Sequence, residues 1–137
     1  MKYFSILLLT FSMVFSSEWI DLGSSQPEAY QKKILSSNSD NVKIEFSMSG
    51  YYQILVETDK GDAYIIDAAN GASILQEGLP DIDKITASIM IPNQAAMDYR
   101  IISTEYIDIE NITIAPSKGN LTRDVDPNSI PYIWGNQ

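Results

Sequence analysis

An all-β fold, an antiparallel β-sandwich, is predicted by three features of this sequence. Apolar residues alternate with polar ones in run after run, the mark of half-buried strands. Turn-forming residues punctuate the chain at close spacing, as sandwiches require. Only one short stretch, Pro27 to Ile34, reads as a helix.

In chain order, Val42, Ile44, Phe46 and Met48 share one face, with Lys43, Glu45 and Ser47 opposite, and Gly50 ends the run. Tyr52, Ile54 and Val56 alternate with Tyr51, Gln53, Leu55 and Glu57. Both faces of that strand are apolar, which predicts a central position in a sheet. Asp59-Lys-Gly-Asp62 predicts a tight turn into a strand over 63–67, and Asn70-Gly71 is a turn of the hairpin type. Ile85, Ala87, Ile89 and Ile91 form the next face, closed by Pro92, and Met97, Tyr99 and Ile101 the one after. Ile107, Ile109, Ile112 and Ile114 supply two short faces, with a phase shift at Glu110-Asn111 that predicts a bulge or turn.

Residues 1–16 read as a signal peptide: Lys2 is the positive n-region, Tyr3 to Phe15 the apolar stretch, and Val14 and Ser16 the small-residue positions before cleavage at Ser17. The apolar stretch is shorter than the ~20 residues that span a bilayer. Secretion, to the extracellular space or a periplasm, is the expected localisation, with no membrane association after cleavage. Removing Lys2 takes the net charge from -9 to -10, with 8 basic residues against 18 acidic. Such acidity argues against nucleic acid and anionic membrane as partners. The remaining 17–137 is long enough for one domain with its own core. The chain has no Cys and no His. Disulfides, the usual nucleophile–base pairs, and the usual zinc and copper sites are excluded with them. No catalytic role and no cofactor are expected.

The run from Ile114 to Gly135 differs from the rest. Pro116, Pro127 and Pro131 each fix φ and bias the preceding residue to an extended backbone. Two cations, Lys118 and Arg123, stand in it. It reads as poor core material and as a pre-shaped ligand for a groove, since part of its ordering cost is met before binding.

This run also resembles a known family. Ala115-Pro-Ser-Lys-Gly119, then Arg123, then Pro127-x-x-Ile-Pro-Tyr-x-x-Gly135 is similar to the N-terminal propeptide of gingipain-like secreted cysteine peptidases. Gly78-Leu-Pro-Asp-Ile-Asp with Ile89-Met-Ile-Pro92 resembles the family's G-x-P-x-L-P stretch and its following strand, with Asp83 where the family has a second Pro. The similarity runs from about Glu18 to Gln137. It implies the same architecture, a jelly-roll-like sandwich, and a non-catalytic role: keeping a cysteine endopeptidase latent, in cis or in trans, and assisting its folding. The family propeptide continues past the Pro-Tyr motif. The sandwich is therefore expected to be incomplete at its C-terminal end, with a sheet edge or apolar face left open. The chain is either a truncated precursor or a propeptide-like protein standing alone.

The resemblance implies that Arg123 enters the peptidase's specificity pocket, where a guanidinium fork pairs bidentately with a carboxylate. From the residues alone, a surface cation balancing Asp124 and Asp126 is the favoured reading of Arg123, and it is the spacing to the Pro-Tyr motif that reverses this. Lys118 is either a second contact to the peptidase or a solvated turn residue. Ala115, Pro116, Ser117, Gly119, Pro127, Pro131 and Tyr132 complete the predicted inhibitory loop. Asp124, Asp126 and Asn128 have the spacing that opens a calcium loop, but Ser129 and Gly135 stand where that loop needs Gly and Glu, so ordinary turn roles are expected. Trp19, Trp134, Tyr132 and Tyr106 read as core or rim aromatics. The alternative of a different class is a secreted β-sandwich binding or adhesion module with no peptidase partner.

Overall fold

A computed structural model describes residues 17–91 and 96–135. The predicted signal peptide, residues 1–16, lies outside the described residues, as does Pro92.

The alternating runs form strands where they find partners. β1 (Ser17–Asp21), β4 (Gly50–Thr58) and β5 (Gly61–Asp67) make an antiparallel sheet with β4 in the middle, as its two apolar faces require. β1 pairs with the first half of β4, Trp19 opposite Tyr52, their rings edge to face at 5.1 Å. The Trp19 indole N–H donates to the Ser24 carbonyl at 2.8 Å, which fixes the chain as it leaves β1. β4 and β5 join through Asp59-Lys60, with Thr58 paired to Gly61 and the Thr58 hydroxyl donating to the Gly61 carbonyl at 2.7 Å.

β2 (Gln31–Ser37) and β3 (Val42–Ser47) form a separate hairpin with a bulge between Ile34 and Ser36. The Asn38 side chain closes its turn by accepting from the N–H groups of Asp40 (2.9 Å) and Asn41 (2.8 Å). The short helix expected over Pro27–Ile34 is therefore wrong: Gln31–Ser37 is a strand, with Ile34 opposite Ile44. The capping pattern Ser25-Gln-Pro-Glu28 favours a helix start locally, but cross-strand pairing decided the matter. Two residues each of β6 (Ala72–Ser73) and β7 (Asp83–Lys84) pair antiparallel. Asn70, at φ 66, does make a turn, closed by the Gly71 N–H on the Ala68 carbonyl. It is not a hairpin turn, because β6 pairs with β7 and not with β5.

The described residues are mostly extended, with no α-helix, so the all-β class holds. Among the described residues there are three small antiparallel sheets, with no clear sandwich. The runs at 85–91 and 97–101 and the short face at Ile107 and Ile109, predicted as half-buried strands, enter no ladder. Period two reports which side chains share a face, not whether a neighbouring strand is there to pair. Ile85 and Ala87 are half-buried, but beyond them the apolar side chains stand in solvent: Met90 is 96 % and Tyr99 85 % exposed, and Ile89, Met97, Ile101 and Ile107 are also exposed. Tyr106, read as a core or rim aromatic, is 80 % exposed and belongs to this stretch. The phase shift at Glu110-Asn111 is a bend, with Asn111 at φ 59.

The free edge of β5 is covered by two later pieces of chain. The Tyr64 N–H donates to the Thr113 carbonyl (2.8 Å) and the Ala115 N–H to the Tyr64 carbonyl (2.9 Å), while Ile66 N–H donates to the Asp81 carbonyl (3.0 Å). The two covering pieces also bond each other, Asp81 N–H to the Ala115 carbonyl at 2.8 Å and Ser117 N–H to the Leu79 carbonyl at 2.6 Å.

Candidate functional site

The Gly78–Asp83 and Ala115–Gly119 stretches, remote in sequence, are adjacent in space. Among the described residues, the fully buried side chains gather on one side of this crossing. Ala115 and Ala63 have no exposure, Pro116 and Ser117 are fully buried, and Gly78 is buried. The expectation that 114–135 is poor core material is overturned for its first part. Proline and small side chains let two backbones approach closely enough to exchange bonds, with Pro116 opposite Pro80. Ala115, Pro116 and Ser117 thus root the loop, and what they touch is their own chain.

The other end of the run returns to the same place. The Gly135 N–H donates to the Gly78 carbonyl at 3.3 Å, and a Cβ on Gly135 would lie 2.7 Å from that oxygen. Only glycine allows this approach. The Trp134 indole N–H donates to Asp59 Oδ1 at 2.8 Å, with the Lys60 ammonium 4.4 Å over its ring. The final Pro-Tyr-Ile-Trp-Gly is thereby pinned to the β4–β5 turn and to the Gly78 turn.

Between these anchors a loop stands out. Lys118 is half-buried, and its ammonium donates to the Pro127 carbonyl at 2.8 Å and sits 4.1 Å over the Tyr132 ring. These contacts close residues 119–126 into a loop. A cation over an aromatic face stabilises by about 0.5–1 kcal/mol when partly exposed. Bonds to a charged donor add a comparable amount. Whatever Lys118 meets in a partner, within this chain it is a staple across the loop's base.

Arg123 stands exposed at the tip. It is the second residue of a hydrogen-bonded turn, with the Val125 N–H on the Thr122 carbonyl at 3.1 Å. The flanking carboxylates serve the loop. The Thr122 hydroxyl, then its own backbone N–H, hold Asp124 below the ordinary carboxylate range. Asp126 caps the 3-10 helix Pro127–Ser129 by accepting the Asn128 N–H at 2.9 Å. Asp126 and Asn128 therefore have the turn roles expected of them. Among the described residues no group of His, Cys, Asp and Glu is placed to hold a metal ion. Pro131 is exposed after this helix, and Tyr132 folds back under Lys118.

Beneath the staple lies an open cavity of about 550 Å³, lined by Asp67, Asp81, Asp83, Lys118, Asn128 and Tyr132 among others. Burial, the charge of Asp83 and a hydrogen bond with it hold Asp67 above the usual carboxylate range. Burial and Asp83 raise Asp81 likewise. Burial and Asp81 raise the Tyr132 phenol. The sequence reading missed this cluster. Asp81 and Asp83 share a strand face by spacing, but nothing local points them at Asp67 or at Tyr132.

The arrangement is that of a β-rich module that presents one arginine on a closed, rooted loop. The chain belongs to the Propeptide_C25 family, which matches residues 25–137. It is similar to Gingipain R1 of Porphyromonas gingivalis, 31 % identical over 104 residues, which cover 75 % of this chain and 10 % of that protein. It is also similar to Gingipain R2 of the same organism, 30 % identical over 105 residues, 77 % of this chain and 14 % of that protein. The chain thus spans a small fraction of the length of the curated relatives it matches. No solved structure matches it.

Proposed function

We propose that this chain is an exported propeptide module that keeps a gingipain-like cysteine peptidase latent by placing Arg123 in its specificity pocket. The observation that carries the reading is the loop itself. Arg123 is the exposed tip of a turn whose base is stapled by Lys118 and whose root is fully buried. Ordering is complete before binding, so little affinity is lost to it. The segment that meets the peptidase cleft runs from Gly119 to Pro131, with Ala115–Ser117 acting only as its root. Within one precursor a tether supplies an effective concentration of order millimolar. An intrinsic affinity of ~1 μM then leaves about one part in a thousand uninhibited. In trans, inhibition depends on concentration. The test is titration of a separately expressed Gingipain R2 catalytic domain with residues 17–137, followed by peptide hydrolysis.

The exposed apolar side chains at 89–91 and 97–109 favour a second reading, a secreted binding module. Absence of inhibition at high micromolar concentration of the folded chain would select it.

A further inference from the structure

A loop that offers an arginine to an arginine-accepting peptidase is also a substrate, unless something prevents the cut. We propose that Lys118 is the positioning residue that keeps the Arg123–Asp124 peptide bond intact while Arg123 is presented, a step that rests on the reading of Arg123 above.

Three observations carry this. First, the Arg123–Asp124 bond is the central bond of the turn closed by Val125 N–H on the Thr122 carbonyl (3.1 Å). Hydrolysis needs the attacking group about 3–3.5 Å from the scissile carbonyl and aligned with it. Endopeptidases achieve that on a backbone drawn out straight through the cleft. In the turn, the chain doubles back at the bond that would be cut. Second, the turn cannot open without moving its ends. Lys118 holds one end to the other through Pro127, and Tyr132 holds Lys118 from beneath. Third, both ends are rooted elsewhere. Gly119 N–H donates to the buried Ser117 hydroxyl at 3.2 Å. On the far side, the Asp126 cap, the Ser129 hydroxyl on the Asp126 carbonyl (2.7 Å) and the Gly135–Gly78 contact fix the return. Lys118 bridges the two sides with its side chain. Exposed loop tips are the usual sites of nicking, so an uncut tip needs such a device.

The test uses trypsin, which cleaves after Arg and reads the loop without a gingipain-type partner. Initial rates of cleavage at Arg123 are measured by mass spectrometry in the 17–137 chain and in a linear peptide of residues 119–130. Arg100, in the exposed unpaired stretch, is the internal standard. The bond after Arg123 is expected to be cut at least about tenfold more slowly in the chain than in the peptide, since cleavage tracks the population of the opened loop. Lys118→Met and Tyr132→Leu should raise the Arg123 rate toward that of the peptide and leave Arg100 unchanged. Lys118→Arg should stay slow, because a guanidinium can also reach the Pro127 carbonyl and stack on Tyr132. Faster cleavage at Lys60 in the β4–β5 turn marks a variant that has lost its fold; the comparison of wild type with peptide stands without it. Equal rates in chain and peptide, or a Lys118→Met chain that folds and is cut no faster at Arg123, overturn the proposal. A loop that resists trypsin in a chain that inhibits no peptidase removes the functional reading and leaves the staple standing.

Discussion

Replacing Gly119 by Ala tests whether the loop's geometry is built or incidental. Gly119 has φ +79, and a Cβ there would lie 3.3 Å from the Glu77 Cβ. An L-residue in that left-handed region costs about 1–2 kcal/mol. The Glu77 contact adds a few tenths, since a Cβ cannot swing away without its backbone. Loss of chain freedom in the unfolded state returns up to about 0.4–1 kcal/mol. A net destabilisation of ~1 kcal/mol follows, or a fall in Tm of about 4–8 °C for a domain of this size. Gly23→Ala is the matched control: it has nothing within 4 Å and no positive φ, so it should stay within about 0.5 kcal/mol of wild type. Urea and thermal melts of the two variants, run side by side, make the comparison. The strain falls between Lys118 and the loop tip, so Gly119→Ala should also weaken any inhibition, and Gly23→Ala should not. If the two variants melt together, the loop does not hold the geometry described and the argument for a pre-ordered tip fails.

Other expectations follow from the same contacts. Gly135→Ala brings a Cβ to 2.7 Å from the Gly78 carbonyl and should cost about 1–3 kcal/mol in a denaturant melt, as overpacking does. Asp67 and Asp81 have folded-state values raised above the unfolded ones, so they favour the protonated, folded chain. The stability they contribute is full below the ordinary carboxylate value of about 3.9 and is lost as pH rises from there through the raised values. In a series of melts from about pH 3.5 to about pH 7, Asp83→Asn should shrink that loss, since Asp83 contributes to both shifts. Export should remove residues 1–16, and N-terminal sequencing of the secreted chain should begin at Ser17.

Much of the sheet was legible because its signals are local. The two-faced apolar run of β4 announced a central strand, and Asp59-Lys60-Gly61 announced the turn after it. The β1 edge and the Gln31–Ser37 strand were not legible. Their few apolar residues gain meaning only from Tyr52 and Ile44 across the ladder, and those pairings are tertiary facts. The runs at 85–91 and 97–109 show the converse error, a clear face without a partner. At the site, the sequence picked out Arg123, Lys118 and their prolines, and the structure gathers the same residues. It could not reveal that Ala115–Ser117 is core, because burial there depends on Pro80 and Gly78 some 35 residues earlier. Nor could it reveal that Lys118 turns inward. That choice depends on Tyr132, brought beneath it by the Trp134 and Gly135 anchors.

The inhibition constant of Arg123→Ala against a Gingipain R2 catalytic domain, beside that of wild type, tests the central claim most directly. Arg123 touches no core residue that its loss would disturb, and the loop's bonds are made by its neighbours. The melt of the variant should therefore match wild type. The inhibition constant should rise by about 30-fold or more, the equivalent of ~2–5 kcal/mol, because a pocket carboxylate is left buried and unpaired. Arg123→Lys should recover part of that, keeping the charge and losing the fork. Equal constants for wild type and Arg123→Ala, in chains with equal melts, would contradict the account: the arginine would then be a surface residue and the loop's order would serve something else.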